Sequence, residues 1–276
     1  MGAASGDVLG RTPYYVLTGG LAIIFLFPIV WAAVASVSPQ AATGQTVGVG
    51  FGNYTTLFNY GAGLPRFLMN SVFVAFTVVA ITLVVSSFGG YAFARFNFPG
   101  RDALFLLTLA ILMVPYATVL IPLYVMLHSI GLQNSLIGLS LVLVVFQLPF
   151  ATYMMRISFE AVPRELDESA VMDGCGAFSV LWRILIPSVW PGLITVSLFA
   201  FLAAWNDFFA PLILLNDPKQ QTLPLAIATL RQQTMGAIDY GATEAGVVVM
   251  ALPCLILFLF LQRHFVRGFM SGALKG

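Results

Sequence analysis

Four carboxylates crowd into one short stretch, Glu165, Asp167, Glu168 and Asp173. Carboxylates at that density can hold a divalent cation over a diphosphate, but such an enzyme needs a second carboxylate cluster facing the first, and the chain has none. His128 and His264 lie far apart, with no Cys or carboxylate at ligand spacing, so no metal site is expected. There is no G-x-x-x-x-G-K-[ST] loop to cradle phosphates and no G-x-S-x-G nucleophile elbow. Gly48, Gly50 and Gly52 alternate without following a strand or opening a helix, and read as a flexible connection. Cys175 and Cys254 fall in a loop and an apolar run, which argues against a disulfide. No catalytic centre and no bound cofactor are therefore expected on this chain, and any energy from ATP must arrive through a partner.

The elements that position the acidic cluster follow from composition. Of 276 residues, 59% are hydrophobic and 8% charged, against about 25% charged in soluble domains. A bilayer crossing needs about 20 apolar residues. Apolar runs bounded by charge or turn residues predict six spans, near 14–37, 67–94, 103–127, 135–155, 188–215 and 243–262. The expected fold is an all-α integral membrane protein with a transmembrane domain over 14–262, an N-terminal segment 1–13 and a C-terminal tail 263–276. A net charge of +1 gives no basic surface for nucleic acid. Placing both termini in the cytosol puts Arg11, Arg95, Arg101, Arg156, Arg164, Arg183, Arg263, Arg267 and Lys275 inside and leaves Arg66, Lys219 and Arg231 outside, the bias that sets topology. Ser86 with Gly90, and Gly19, Gly20 and Gly89, are expected close-approach points between helices. Pro115, Pro122, Pro149, Pro211 and Pro253 are expected to interrupt spans.

That topology makes 156–187 a long cytosolic segment holding the acidic cluster. Pro163 suits the first turn of a helix, and Glu165, Asp167 and Glu168 sit near the positive end of its dipole. Gly174 supplies the left-handed residue that ends it. A second helix carries Phe178, Leu181, Trp182 and Leu185 on one apolar face, and Pro187 and Pro191 turn the chain into the fifth span. A partly charged helical pair outside the bilayer in so apolar a chain reads as a surface built to dock another protein.

Glu168-Ser169-Ala170-x-x-Asp173-Gly174, with Pro187 and Pro191 following, resembles the EAA loop of bacterial ABC importer permeases. Asn53-Tyr54, Arg95-Phe96-x-Phe98-Pro99-Gly100, Trp205-Asn206-Asp207, and Gln262-Arg263-x-Phe265-Val266-Arg267-Gly268 with Ser271-Gly272-Ala273-x-Lys275-Gly276 extend the likeness to carbohydrate-uptake permeases, among them the second subunit of the maltose pair. Ser169 replaces the usual Ala, and Leu181-Trp182 a common Phe-Arg pair. The resemblance implies a multi-pass protein of the bacterial inner membrane that forms half of a translocation pathway for a sugar or oligosaccharide. Its implied partners are a second permease chain, two ATPase subunits carrying ATP and Mg, and an extracytoplasmic binding protein. Glu168, Ser169, Ala170, Asp173, Gly174 and Pro187 would couple to the ATPase. Glycerol phosphate or a related polyol phosphate is an alternative cargo, and an ion-coupled transporter would leave the EAA loop unexplained.

Two more segments carry expectations. Residues 216–242 form a long outer loop rich in hydrogen-bonding groups and poor in charge, where Gln220, Gln221, Arg231 and Gln232 are expected to meet the binding protein. In the fifth span, Trp205 offers an aromatic surface, Asn206 a hydroxyl-binding amide, and Asp207 an acid too costly to leave in lipid. These three are expected either to line the pathway or to hold a kinked backbone near Pro211.

Overall fold

The computed structural model describes residues 6–38, 49–233 and 239–273, with side chains at 13–38, 49–231 and 239–261. The described residues contain helices and no strand, the architecture that satisfies every backbone polar group without water. Four helices are long and apolar enough to cross a bilayer alone: α1 (Gly6–Ser36), α3 (Leu64–Arg95), α6 (Leu136–Glu160) and α13 (Tyr240–Ala273). Two bent helix pairs each carry apolar length enough for one further crossing. One joins α4 (Arg101–Ala110) and the turn Ile111–Met113 to α5 (Tyr116–Ser129) through 103°. The other joins the run from α8 (Ala177–Val180) to α9 (Ile186–Ser188) onto α10 (Trp190–Asn206) through 78°. Counting each bent pair as one crossing gives six among the described residues, the number expected, although the arm Ala177–Ser188 precedes the expected start of the fifth span at 188. Between them lie α2 (Gly52–Asn59), α7 (Glu165–Met172), α11 (Phe209–Leu214) and α12 (Leu223–Gln233).

Proline explains only part of the bending. Pro115 ends the first half of the third span because it pushes the preceding Val114 out of helical geometry, to φ −78° and ψ 125°. Pro122, Pro149 and Pro253 instead stay inside α5, α6 and α13. The fifth span, expected over 188–215 with an interruption at Pro211, breaks four residues earlier at Asp207, which is extended at φ −68° and ψ 126°, and restarts as α11 with Pro211 buried inside it.

The chain divides into two compact units, residues 64–226 with 254–276, and 1–63 with 227–253. In the first, α3 and α6 pack along each other, and α10 lies against both. Gly90 permits that approach: a Cβ there would stand 2.6 Å from Met155 Cβ and 2.8 Å from the Arg156 nitrogen. Ala94, Met155, Phe159, Ala170, Val180, Leu185 and Val196 then close a core joining the ends of α3 and α6 to α7, α8 and α10. In the other unit, Asn53 Nδ2 donates to the Ser36 carbonyl at 2.9 Å, and Tyr54 Oη meets Ser36 Oγ at 2.9 Å. That pair ties α2 to the C-terminal turn of α1, whose last carbonyls have no partner within the helix. Gly19 and Gly20, expected at a packing face, have no heavy atom within 4 Å of where a Cβ would stand.

Candidate functional site

The segment between α6 and α10 begins with an inward anchor. The Arg95 guanidinium, at the end of α3, donates Nη2 to the Val162 carbonyl at 2.8 Å and pairs Nε with Asp167 Oδ2 at 2.9 Å. Its side chain is 6% exposed. Asp167 thus leaves the acidic cluster and points into the fold, while Glu165, Glu168 and Asp173 stay exposed with no side-chain partner among the described residues. Helix α7 starts at Glu165, two residues after Pro163, and the exposed Ser169 hydroxyl donates back to the Glu165 carbonyl. Ala170 is the one buried apolar residue of α7, at 5% exposure.

Gly174 has φ +83°, as its spacing predicted. Its N–H donates to the Val171 carbonyl and that of Cys175 to the Ala170 carbonyl, both at 2.9 Å. This double closure takes up orphan carbonyls of α7 and reverses the chain. The helix that follows does not present one apolar face. Leu181 and Leu185 are buried, whereas Phe178 and Trp182 are 66% and 63% exposed. A π-helical turn over Leu181–Leu185 widens the spacing and separates the two pairs. The outer surface therefore combines Glu165, Glu168 and Asp173 with exposed Val171, Met172, Phe178 and Trp182. Pro187 is exposed inside α9, short of the bend into α10.

At the far end of the fifth span the structure assigns each polar residue a partner. Asp207 accepts the Tyr116 hydroxyl on Oδ2 at 2.8 Å and the Ala210 N–H on Oδ1 at 2.9 Å. It caps α11 and ties that helix to the first residue of α5, just beyond the other break. The Tyr116 ring in turn meets Phe146 edge-on at 4.5 Å. Trp205 is 1% exposed, its ring stacked on Phe201 at 5.5 Å and 11°. Asn206 is exposed, donating Nδ2 to the Leu202 carbonyl at 2.8 Å, and its side chain also meets the Cys254 thiol.

Residues 216–231 are not a slack loop. Asn134 Oδ1 accepts the N–H groups of Asn216 and Asp217, at 2.8 and 3.0 Å. Asn70 Nδ2 donates to the Lys219 and Gln221 carbonyls at 3.0 and 2.8 Å, and Ser71 Oγ accepts the Leu223 N–H at 2.8 Å. Gln220 and Gln221 are half-buried in this pinned turn. Helix α12 follows with Leu223, Leu225, Ala226, Ile227 and Leu230 buried and Arg231 exposed at its end. The side chain of Gln232 lies outside the described residues.

Residues 86–271 match the family described as binding-protein-dependent transport system inner membrane component. The chain belongs to that family. Three relatives run nearly end to end with it. The diacetylchitobiose uptake system permease protein DasC of Streptomyces coelicolor is 32% identical, covering 98% of this chain and 99% of its own. The arabinooligosaccharides transport system permease protein AraQ of Bacillus subtilis is 33% identical over 93% and 92%. The trehalose transport system permease protein SugB of Mycobacterium tuberculosis is 31% identical over 96% and 98%. In fold, a crystal structure of a bacterial ABC transporter involved in the import of the acidic polysaccharide alginate aligns with a TM-score of 0.79 at 22% identity, covering 96% of this chain and 99% of that one.

For an inner-membrane component of this family, the described residues bring Glu168, Ser169, Asp173 and Gly174 onto one exposed surface and turn Ala170 inward. They separate Trp205 and Asp207, which are held, from Asn206, which is exposed. Sequence reasoning missed Arg95, Tyr116, Asn70 and Asn134 as organisers. Each is a lone polar residue at the end of an apolar run, and Arg95 opens a quoted motif, so position alone marked them as needing partners. Their partners lie tens of residues away and carry no sequence signal.

Proposed function

We propose that this permease subunit forms half of the translocation pathway of a binding-protein-dependent ABC importer for a sugar or oligosaccharide. The observation that carries the reading is the end-to-end similarity to permeases whose names specify diacetylchitobiose uptake and arabinooligosaccharide and trehalose transport. An uncharged sugar is further supported by the apolar stretches Pro13–Ser36, Leu64–Arg95, Leu136–Glu160 and Tyr240–Leu261, whose middles hold no Lys or Arg. The exposed surface of α7 and α8 docks an ATPase subunit: Glu168 and its neighbouring acids meet cations, and Met172, Phe178 and Trp182 fill an apolar cleft. ATP and Mg are held by that partner and none by this chain. A second permease chain completes the pathway, with both termini of this one in the cytosol.

Asn206 is the fifth-span residue that faces the pathway, while Asp207 and Trp205 hold the helix break that presents it. Contact with the binding protein falls on the α12 end, at Arg231 and Gln232, rather than on Gln220 and Gln221, whose turn is pinned. The test is the complete complex in vesicles, with labelled oligosaccharide and the binding protein that delivers it. ATP-driven uptake is expected, and Glu168→Lys should abolish the stimulation of ATPase activity by loaded binding protein while leaving the chain in the membrane. Normal stimulation in that variant would reject the docking role, and uptake of a polyol phosphate in place of any sugar would reject the cargo.

A further inference from the structure

We propose that Arg95 is the positioning residue that makes α7 and the span α3 move as one body, so that displacement of α7 by a cytosolic partner is delivered to α3 in particular. This rests on the docking role proposed for α7 and adds the route by which the movement enters the membrane.

The case begins with how little else holds α7. Of its eight residues only Ala170 is buried, so apolar contact secures the helix at one small side chain. Its remaining inward group is Asp167, whose carboxylate would face burial without a countercharge if Arg95 were absent. The same guanidinium takes the Val162 carbonyl, in the turn that leads from α6 into α7. One side chain thus holds both the entry turn and the first turn of the helix. Only Nη2 makes a directed bond, to Val162, whereas Nε and Asp167 Oδ1 are buried without a hydrogen-bond partner among the described residues, so the link to Asp167 is a charge contact at 2.9 Å. At 6% exposure it works in a medium where the pair is poorly screened by salt.

The other end of the tie is equally specific. Arg95 is the last residue of α3, and the turn before α4 is closed by Gly100 at φ +81°, so the chain leaves α3 immediately beyond the attachment. One turn earlier Tyr91 packs edge-on against Phe159 of α6 at 5.8 Å, and Gly90 seats α3 against Met155. The α3 end is therefore locked to α6. A push on α7 reaches that pair through Arg95, and the remaining contact route runs through the apolar core under Ala170.

The experiment uses the complete complex in vesicles, with transport expressed per assembled complex and ATP hydrolysis measured in parallel. Coupling free energies commonly correspond to factors of about 5 to 150, and Arg95→Ala is expected to lower binding-protein-stimulated transport by roughly tenfold with unstimulated hydrolysis retained. Arg95→Lys and Asp167→Asn should fall between it and the parent. The exchange Arg95→Asp with Asp167→Arg should transport better than either single reversal, a rescue that a merely space-filling arginine would not produce. If Arg95→Ala prevents assembly, Arg95→Lys and Asp167→Asn decide: normal transport per complex in both overturns the proposal, as does normal transport in an assembled Arg95→Ala complex or failure of the exchange to rescue. Glu168→Lys separates the two levels. If it uncouples while the Arg95 variants do not, only this route fails; if it leaves coupling intact, the docking role itself fails.

Discussion

Replacing Gly174 tests whether backbone geometry alone shapes the docking surface. The residue sits at φ +83°, and no heavy atom lies within 4 Å of where a Cβ would stand. Steric crowding is absent, so the cost of a side chain is conformational. Left-handed geometry costs an ordinary L-residue about 1–2 kcal/mol, which at 1.4 kcal/mol per factor of ten disfavours the native turn by roughly 5- to 30-fold. Asn tolerates this region better than Ala, and β-branched residues tolerate it worst. Two hydrogen bonds at 2.9 Å oppose unwinding, and if they yield, α7 loses its direction relative to α8. The expected order of coupling efficiency is Gly, Asn, Asp, Ala, Val, and the thermal stability of the purified complex should follow the same order. Stimulated ATPase activity and a melting curve, measured on each variant at equal complex concentration, provide the check. If Val matches Asn, or Ala matches Gly, in both assays, the strain argument is wrong.

Two further outcomes follow from packing and capping. Gly90→Val should force α3 and α6 apart, because even a Cβ would stand within 2.8 Å of the Arg156 nitrogen; overpacking of this kind costs about 1–3 kcal/mol, and unchanged thermal stability of Gly90→Val would contradict the close approach. Tyr116→Phe removes one of the two hydrogen bonds on Asp207 and Asp207→Asn weakens both; each should reduce the amount of assembled complex while leaving sugar selectivity per complex unaltered, and a changed selectivity in uptake assays would move Asp207 into the pathway instead.

Much of this architecture is legible in the residue order because the bilayer is a demanding solvent. Long apolar runs have only the helix as a way to satisfy their backbone, so the four unbroken apolar helices were legible in the residue order, as was the apolar length that the two bent pairs carry. Gly174 and the acidic turn before it were equally readable, since caps are local and depend on residues a few positions apart. The same holds for Gly90, a small residue on a helix face.

Only the tertiary structure decided how the crossings break and what their polar residues do. Five prolines looked alike in sequence, yet Pro115 coincides with a sharp bend while Pro122, Pro149 and Pro253 sit within helices. Whether a proline interrupts a helix depends on whether surrounding groups accept the freed carbonyls, and those groups come from elsewhere in the chain. Asp207 acquired its role from Tyr116, ninety-one residues away, and Asp167 was sorted from its acidic neighbours by Arg95, at a distance of seventy-two. Residues 216–242, expected as an outer loop that meets the binding protein, include a helix with a buried face, because Asn70, Ser71 and Asn134 fix the turn that precedes it. Periodicity records which residues avoid water. It does not record which polar group will meet which, since a pairing across the fold is a property of two distant positions and neither one betrays it alone.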